Sequence, residues 1–377
     1  MPKTALHISD EMISRFRLQR HHLSDEEPAD ATAICRDVCG VQAQVMSSAF
    51  LQLWTRNHSV TRAEIENALW QSRTLVKTSL MRQTLHLIPT DEFHVYIAAL
   101  RSSRVMAALR VMARFGIARE EGESLTPLIL EALATQSLAR PAIAAAIRPR
   151  VSKRVRLWME NSWSAVRVPI AEGLICYGSG EANEITFTRT DRWLSNLKLE
   201  TLSETEAQCA LFRKYLRAYG PATATDFSHW SGIPMQQVKA IADLLDPEME
   251  KITSEKRSLL LLRGDVAVLK GVSAENEQSC VRLLPSFDIF LLAHRAKNHL
   301  LSEKYYKRVY RNQGWISPVV LVDGAVAGIW SHESEKKRLQ VKIEAFGKLS
   351  RAVRTAVARE AERLADYFAR DLTIQFV

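Results

Sequence analysis

Two carboxamides separated by one residue, Gln42 and Gln44, stand in the mostly apolar run Cys39-Gly-Val-Gln-Ala-Gln-Val-Met-Ser-Ser-Ala-Phe50. A buried amide without partners costs stability, so such a pair in such a run needs a reason. Each carboxamide offers an acceptor and two donor hydrogens and stays uncharged at any ordinary pH. Two of them on one point would hold a water and a polar ligand together without a strong acid or base. Residues i and i+2 share a face on a strand but not on a regular helix. Convergence therefore requires extended or bent backbone, for example at a helix start after Gly40. Capping a helix or bonding to backbone would use the same side chains, and spacing alone does not choose.

The elements that must position the pair are legible in outline. The pattern predicts helices over 8–20 and 28–39, the second capped by Asp30, and a capping box at Thr61-Arg-Ala-Glu64 starts another through Trp70. Strand-like runs at 75–80 and 84–88 follow, and Pro89-Thr-Asp-Glu92 launches a further helix. Helices and then a two-stranded ribbon is winged-helix order. A second unit has helices expected at 125–134, 141–147 and 158–169, with a hairpin from 173–177 to 185–190. A third has helices at 205–218, 223–230 and 234–245, the last two joined by Ser231-Gly-Ile233, which is helix-turn-helix grammar. Its wing is expected at 259–262 and 266–269, around Arg263-Gly-Asp265. Strands at 281–293, 318–323, 325–330 and 338–346, a helix at 349–369 and a strand at 372–377 complete the chain, with Asp323-Gly324 as a hairpin turn. The fold class expected is α+β: residues 1–100 with the first winged helix, 101–200 with the second, 201–275 with the third, and 276–377 as a β-rich domain closed by a helix.

A hydrophobic content of 47% and a charged content of 25% over 377 residues describe an ordinary globular chain. No apolar run approaches the ~20 residues of a membrane span, and Met1-Pro-Lys-Thr-Ala-Leu-His7 lacks a signal-peptide core. A cytoplasmic protein with no membrane partner is expected. The five cysteines, at 35, 39, 176, 209 and 280, suit reduced, buried thiols. The dispersed histidines form no ligand set, so no metal or other cofactor is expected. With 51 Lys+Arg against 42 Asp+Glu the net charge is +9, the footprint of a polyanion binder. The basic residues cluster: Arg101, Arg104, Arg110 and Arg114; Arg148 to Arg156; and Arg295 to Arg311, where Tyr305, Tyr306 and Tyr310 interleave.

Val41-Gln-Ala-Gln44 and Arg82-Gln-Thr-Leu-His-Leu-Ile-Pro89 resemble the winged-helix DNA glycosylases of the AlkZ and YcaQ type. So do Tyr219-Gly-Pro-Ala-Thr, Asp226-Phe and Trp230-Ser-Gly232, then Leu283-Leu-Pro-Ser-Phe-Asp288, Val320-Leu-Val-Asp-Gly324 and Gly328-Ile-Trp330. These segments are specific jointly rather than singly, and they span nearly the whole chain. The resemblance implies three tandem winged helices in a C-shaped clamp with a C-terminal β-rich domain. It implies hydrolysis of the N-glycosidic bond of alkylated purines in duplex DNA, N7-alkylguanine included, and of some interstrand crosslinks. The family motif is Gln, an aliphatic residue, then Gln or Asp; Gln42 and Gln44 place this chain in the Gln-Gln branch, as catalytic residues. No Schiff-base lysine, and hence no lyase activity, is expected, and a monomer is the expectation because a clamp need not dimerise.

Candidate DNA contacts are Arg82 and His86 near the first wing, Arg189, Arg192 and Trp193 at the hairpin end, and His294 and Arg295 after Pro285-Ser-Phe-Asp288. A surface arginine, a packed histidine or a core tryptophan would leave the same traces. A non-enzymatic winged-helix regulator of undamaged DNA would explain the charge and the helix-turn-helix, but gives no reason for Gln-Ala-Gln. A structural protein with solvated basic faces would bind DNA weakly, with little salt dependence.

Overall fold

The computed structural model describes residues 6–24, 29–161, 163–180, 184–195, 201–255, 257–272 and 279–377. The first hundred residues hold β1 (Leu6–His7), α1 (Asp10–Arg20), α2 (Ala31–Asp37), β2 (Val41–Gln42), α3 (Met46–Arg56), α4 (Arg62–Trp70), β3 (Leu75–Ser79) and β4 (Leu85–Pro89), and then α5 (Phe93–Arg114) begins. Side-chain oxygens of Ser9, Asp30 and Thr61 accept the N–H groups that the first turns of α1, α2 and α4 leave without helical partners. Thr61 and Glu64 complete the capping box in both directions. β2, β4 and β3 lie in that order as an antiparallel sheet, with Val41 opposite Leu87 and Gln42 opposite His86. Ile34, Val38, Val41, Leu53, Leu75 and Leu87 share its core.

Next come α6 (Arg119–Glu123), α7 (Leu125–Ala132), β5 (Leu138–Ala139), α8 (Arg140–Ile147), α9 (Lys153–Asn161), α10 (Arg167–Ala171), β6 (Ile175–Gly178), β7 (Thr186–Arg189) and α11 (Thr190–Trp193). The helix expected over 158–169 is divided: α9 ends before residue 162, which lies outside the described residues, and a 3-10 turn at Trp163–Val166 leads into α10. Pro169, which lacks an N–H, fits the first turn of α10 and would not fit the middle of a longer helix. The expected hairpin is β6–β7, with β5 added beyond β7; part of its Gly-Ser-Gly-Glu turn lies outside the described residues.

The third part contains α12 (Glu204–Tyr219), α13 (Ala224–Ser231), α14 (Met235–Leu245), β8 (Met249–Ser254), β9 (Arg257–Leu262) and α15 (Val266–Gly271). Gly232, at φ 82°, ends α13 by donating to Ser228 O at 3.0 Å, a left-handed turn open to glycine at no steric cost. The expected strand at 266–269 is corrected. Arg263–Asp265 closes a 3-10 turn into helix α15, and Leu269 and Val272, three residues apart, face Ile13 and Phe16. The partner of β9 is β8, whose alternating Met-Glu-Lys-Ile-Thr-Ser was not read as a strand. β1 adds to β8 in parallel, so the N-terminal segment and α1 pack on this third part.

The remainder is a five-stranded sheet of β10 (Val281–Leu284), β11 (Val319–Val322), β12 (Ala325–Glu335), β13 (Arg338–Ala345) and β14 (Asp371–Phe376), in that order. A one-turn helix, α16 (Tyr306–Val309), precedes β11, and α17 (Arg351–Tyr367) crosses over so that β14 joins β13 in parallel. Asp323 and Gly324 both take positive φ, 49° and 83°, as an Asp-Gly hairpin turn requires. The strand expected over 281–293 stops at Leu284. Pro285 has no N–H for a ladder, Phe287 turns at φ 58°, and Asp288 caps a 3-10 turn at Ile289–Leu291. The architecture is thus mixed α+β. Among the described residues no helix is long and apolar enough to cross a membrane.

Candidate active site

Gly40 decides how the chain reaches Gln42. At φ +86° it turns from α2 into β2 so tightly that a Cβ there would sit 2.7 Å from Ile88 Cγ2 and 3.1 Å from Leu87 O. The ladder then continues for one residue, with Ala43 N–H donating to Leu85 O at 2.7 Å. After that the chain bends towards α3. The Leu85 N–H donates to the Gln44 side-chain Oε1, at a long 3.4 Å. The backbone is therefore extended at Gln42 and bent at Gln44, the geometry that i and i+2 need in order to converge. Their depths differ. Gln42 is 5% exposed and its Oε1 is buried without a partner among the described residues. Gln44 is exposed and lines a cavity of about 270 Å³.

That cavity lies between the first sheet and the second part of the chain. Ser79 and Gln83 flank Gln44 from the β3–β4 ribbon, Arg104 enters from α5, Arg167 from α10 and Tyr177 from β6. The ribbon turn sorts its two central side chains. Arg82 and Gln83 both take the left-handed conformation, at φ 52° and 62°. Gln83 faces the cavity, where its Oε1 lies 3.4 Å from Arg167 Nη1. Arg82 turns back and donates from Nη1 to Trp230 O at 2.8 Å, tying the ribbon to α13. Arg82→Ala should therefore cost about 1–3 kcal/mol in urea unfolding, the penalty of a carbonyl left unsatisfied. The salt dependence of DNA binding should hardly change; a slope reduced by about one would instead mark Arg82 as a phosphate contact.

The other residues named from sequence lie apart from this cavity. His86 is buried opposite Gln42, its Nδ1 3.0 Å from Thr84 O, and burial lowers its pKa to about 3. It is neutral at physiological pH and no proton donor. Arg189 pairs with Asp191 at 2.5 Å, and Arg192 donates to Thr135 O at 2.9 Å. Trp193 is buried, with the Arg73 guanidinium 3.9 Å above its ring, and so is a core residue rather than a free stacking surface. His294 is buried with Nε2 3.0 Å from Tyr219 O, while Arg295 is exposed; both line a separate cavity with Arg17, Asp226 and His299. Sequence reading did not single out Gln83 or Tyr177, and it placed Arg104 in a basic stripe whose members Arg101, Arg110 and Arg114 are exposed while Arg104 is not. Cys35, Cys39, Cys176 and Cys209 are buried, and burial pushes the Cys39 thiol up to about 12, out of nucleophilic range. Among the described residues no three His, Cys, Asp or Glu side chains gather to hold a metal ion.

The pKa of His86 makes stability pH-dependent. The unfolded imidazole takes up a proton near ~6.5 while the folded one stays neutral down to about 3, so stability is complete above the unfolded value and lost as pH falls. Between pH 7 and pH 5 this one group should remove about 2 kcal/mol. Urea titrations at both pH values, with His86→Gln beside wild type, should show the variant losing that much less.

A cavity lined by the carboxamides of Gln44 and Gln83 and by the guanidinium groups of Arg104 and Arg167, reached from helices and small sheets, suits an enzyme acting on a polyanion. The sequence pattern of the family described as "DNA glycosylase AlkZ-like" matches residues 35–367, and the chain belongs to that family. It is a DNA glycosylase. It is similar to the interstrand DNA cross-link repair glycosylase of Streptomyces sahachiroi, 28% identical over 359 residues that cover 93% of this chain and 94% of that protein. The solved structure of Streptomyces sahachiroi DNA glycosylase AlkZ matches at a TM-score of 0.87 and 25% identity, over 99% of this chain and all of that one. Family membership sets aside the readings as a regulator or as a purely structural protein.

Proposed function

We propose that this glycosylase releases alkylated purines, N7-alkylguanine foremost, from duplex DNA, with Gln42 and Gln44 acting together on a water. The observation that carries this is the pair itself: a buried Oε1 on Gln42 with no partner among the described residues and, two residues on, Gln44 at the cavity wall. N7 alkylation leaves a cationic purine that departs without much further protonation. The enzyme then needs to aim a water at the anomeric carbon and to tolerate oxocarbenium-like charge at the sugar. Carboxamide oxygens do both. Positioning supplies several kcal/mol of such a barrier, and aimed dipoles about 3–4 more. An uncharged apparatus of this strength leaves unmodified purines, with their poorer leaving group, in place. Water as the nucleophile gives an intact abasic site and no strand cleavage.

Each of the three-stranded sheets follows or joins helices in the order of a winged helix, and we read residues 1–100, 101–200 and 201–275 as three such units in a clamp around DNA, acting as a monomer in the cytoplasm at the nucleoid. Arg189, Arg192 and Arg295 remain the candidate backbone contacts of that surface. An open clamp also suits a crosslinked base pair, which cannot be flipped out like a single base; the repair activity named for the Streptomyces relative supports the same extension here.

The test is release of free base from a duplex carrying one N7-methylguanine, and from a crosslinked duplex. Free base with an alkali-labile, uncleaved strand is expected. No release from either duplex would overturn the substrate assignment.

A further inference from the structure

Arg104 is a buried cation without a counterion among the described residues. It is 6% exposed, and its Nε and Nη1 are buried without hydrogen-bond partners among the described residues. The Tyr177 phenol lines the same cavity, and burial pushes its pKa up to about 12, so it is neutral at physiological pH and offers no compensating charge. Arg56, equally buried, is matched by Asp288 at 2.9 Å through both nitrogens. Leaving a buried guanidinium unmatched is costly, and no described residue supplies the compensating charge, which points to a bound anion.

The surroundings say which sign and where. Arg104 lines the Gln44 cavity with Arg167, and no Asp or Glu does so among the described residues. Buried Lys77 is not on the cavity wall but lies behind it, its Nζ 5.4 Å from the ring of the cavity residue Tyr177. A cavity so charged would repel both a cationic purine and the cationic sugar formed when the base leaves. The conflict disappears if the substrate brings an anion to this wall, and the only anion that a nucleotide carries beside its sugar is the phosphodiester.

We propose that the Arg104 guanidinium binds the phosphate next to the damaged nucleotide, and that this contact sets how the sugar is presented to Gln42 and Gln44. This rests on the substrate reading above and adds to it an orientation: phosphate towards α5, anomeric carbon towards the carboxamides.

The test replaces single phosphates around an N7-methylguanine by neutral methylphosphonates and measures both single-turnover base release and binding. In the wild type, one substitution beside the lesion should slow release or weaken binding by about tenfold, the size of one charge-assisted hydrogen bond. Arg104→Gln should show that loss on natural DNA and be indifferent to the same methylphosphonate. Arg104→Lys, which keeps the charge, should remain sensitive. A structural role would instead make Arg104→Gln less stable and leave its methylphosphonate sensitivity intact, which overturns the proposal. Wild type indifferent at every flanking phosphate overturns it without any variant. If wild type releases no base, the substrate reading fails alone, and the same coupling read in binding still upholds or overturns the Arg104 contact.

Discussion

Gln42→Leu should abolish base release while leaving the protein as stable as wild type or more so. The wild-type Oε1 is buried without a partner among the described residues, a cost of about 1–3 kcal/mol that a leucine of similar volume does not carry. A residue kept for packing would show the opposite: lower stability and unchanged turnover. Gln44→Ala should slow release about a hundredfold, the usual effect of removing one aimed dipole from a preorganised site. Gln44 is exposed, so the folding free energy should barely move. The two losses should not multiply, because both side chains hold one water. Single-turnover kinetics on the N7-methylguanine duplex, with urea unfolding alongside, decide this. Full activity of Gln42→Leu would remove the pair from the mechanism.

The second large effect is structural and lies far along the chain from the site. Arg56 and Asp288, both fully buried, form a two-pronged ion pair that joins α3 to the turn after β10. Asp288 Oδ1 also accepts the Phe290 N–H at 2.9 Å, and Arg56 donates to Gln52 O at 2.9 Å. Gln52 bridges the same two segments, accepting the Ile289 N–H at 3.3 Å and donating to the Gln42 carbonyl at 3.1 Å. Asp288→Ala should therefore cost about 3–5 kcal/mol, since it strands a buried guanidinium. Joint replacement by Arg56→Met and Asp288→Leu should recover much of that loss. Because the network ends on the backbone of Gln42, the folded fraction of Asp288→Ala should also release base more slowly. Urea unfolding of the single and joint variants measures the coupling. A joint loss equal to the sum of the two single losses would mean that the pair contributes nothing as a pair.

Local chemistry made much of this protein legible from sequence. Capping residues at Asp30 and Thr61, the glycine after α13, the Asp323-Gly324 turn and the strand-like runs of β3 and β4 act within a few residues of one another, so their spacing is their mechanism. The Gln-Ala-Gln spacing carried its own condition, extended or bent backbone, for the same reason. Where local pattern was ambiguous the reading slipped. Val266–Leu269 is as good a strand as a helix until the Ile13 and Phe16 side chains give it one face to bury. The fate of each charge was the business of tertiary structure alone. Arg56, Arg82 and Arg104 read alike in a list of basic residues, yet one is matched by a carboxylate 232 residues away, one by a carbonyl 148 residues away, and one by nothing among the described residues. Burial and the partner across the fold set the cost of a charge, and neither is encoded in the neighbours along the chain.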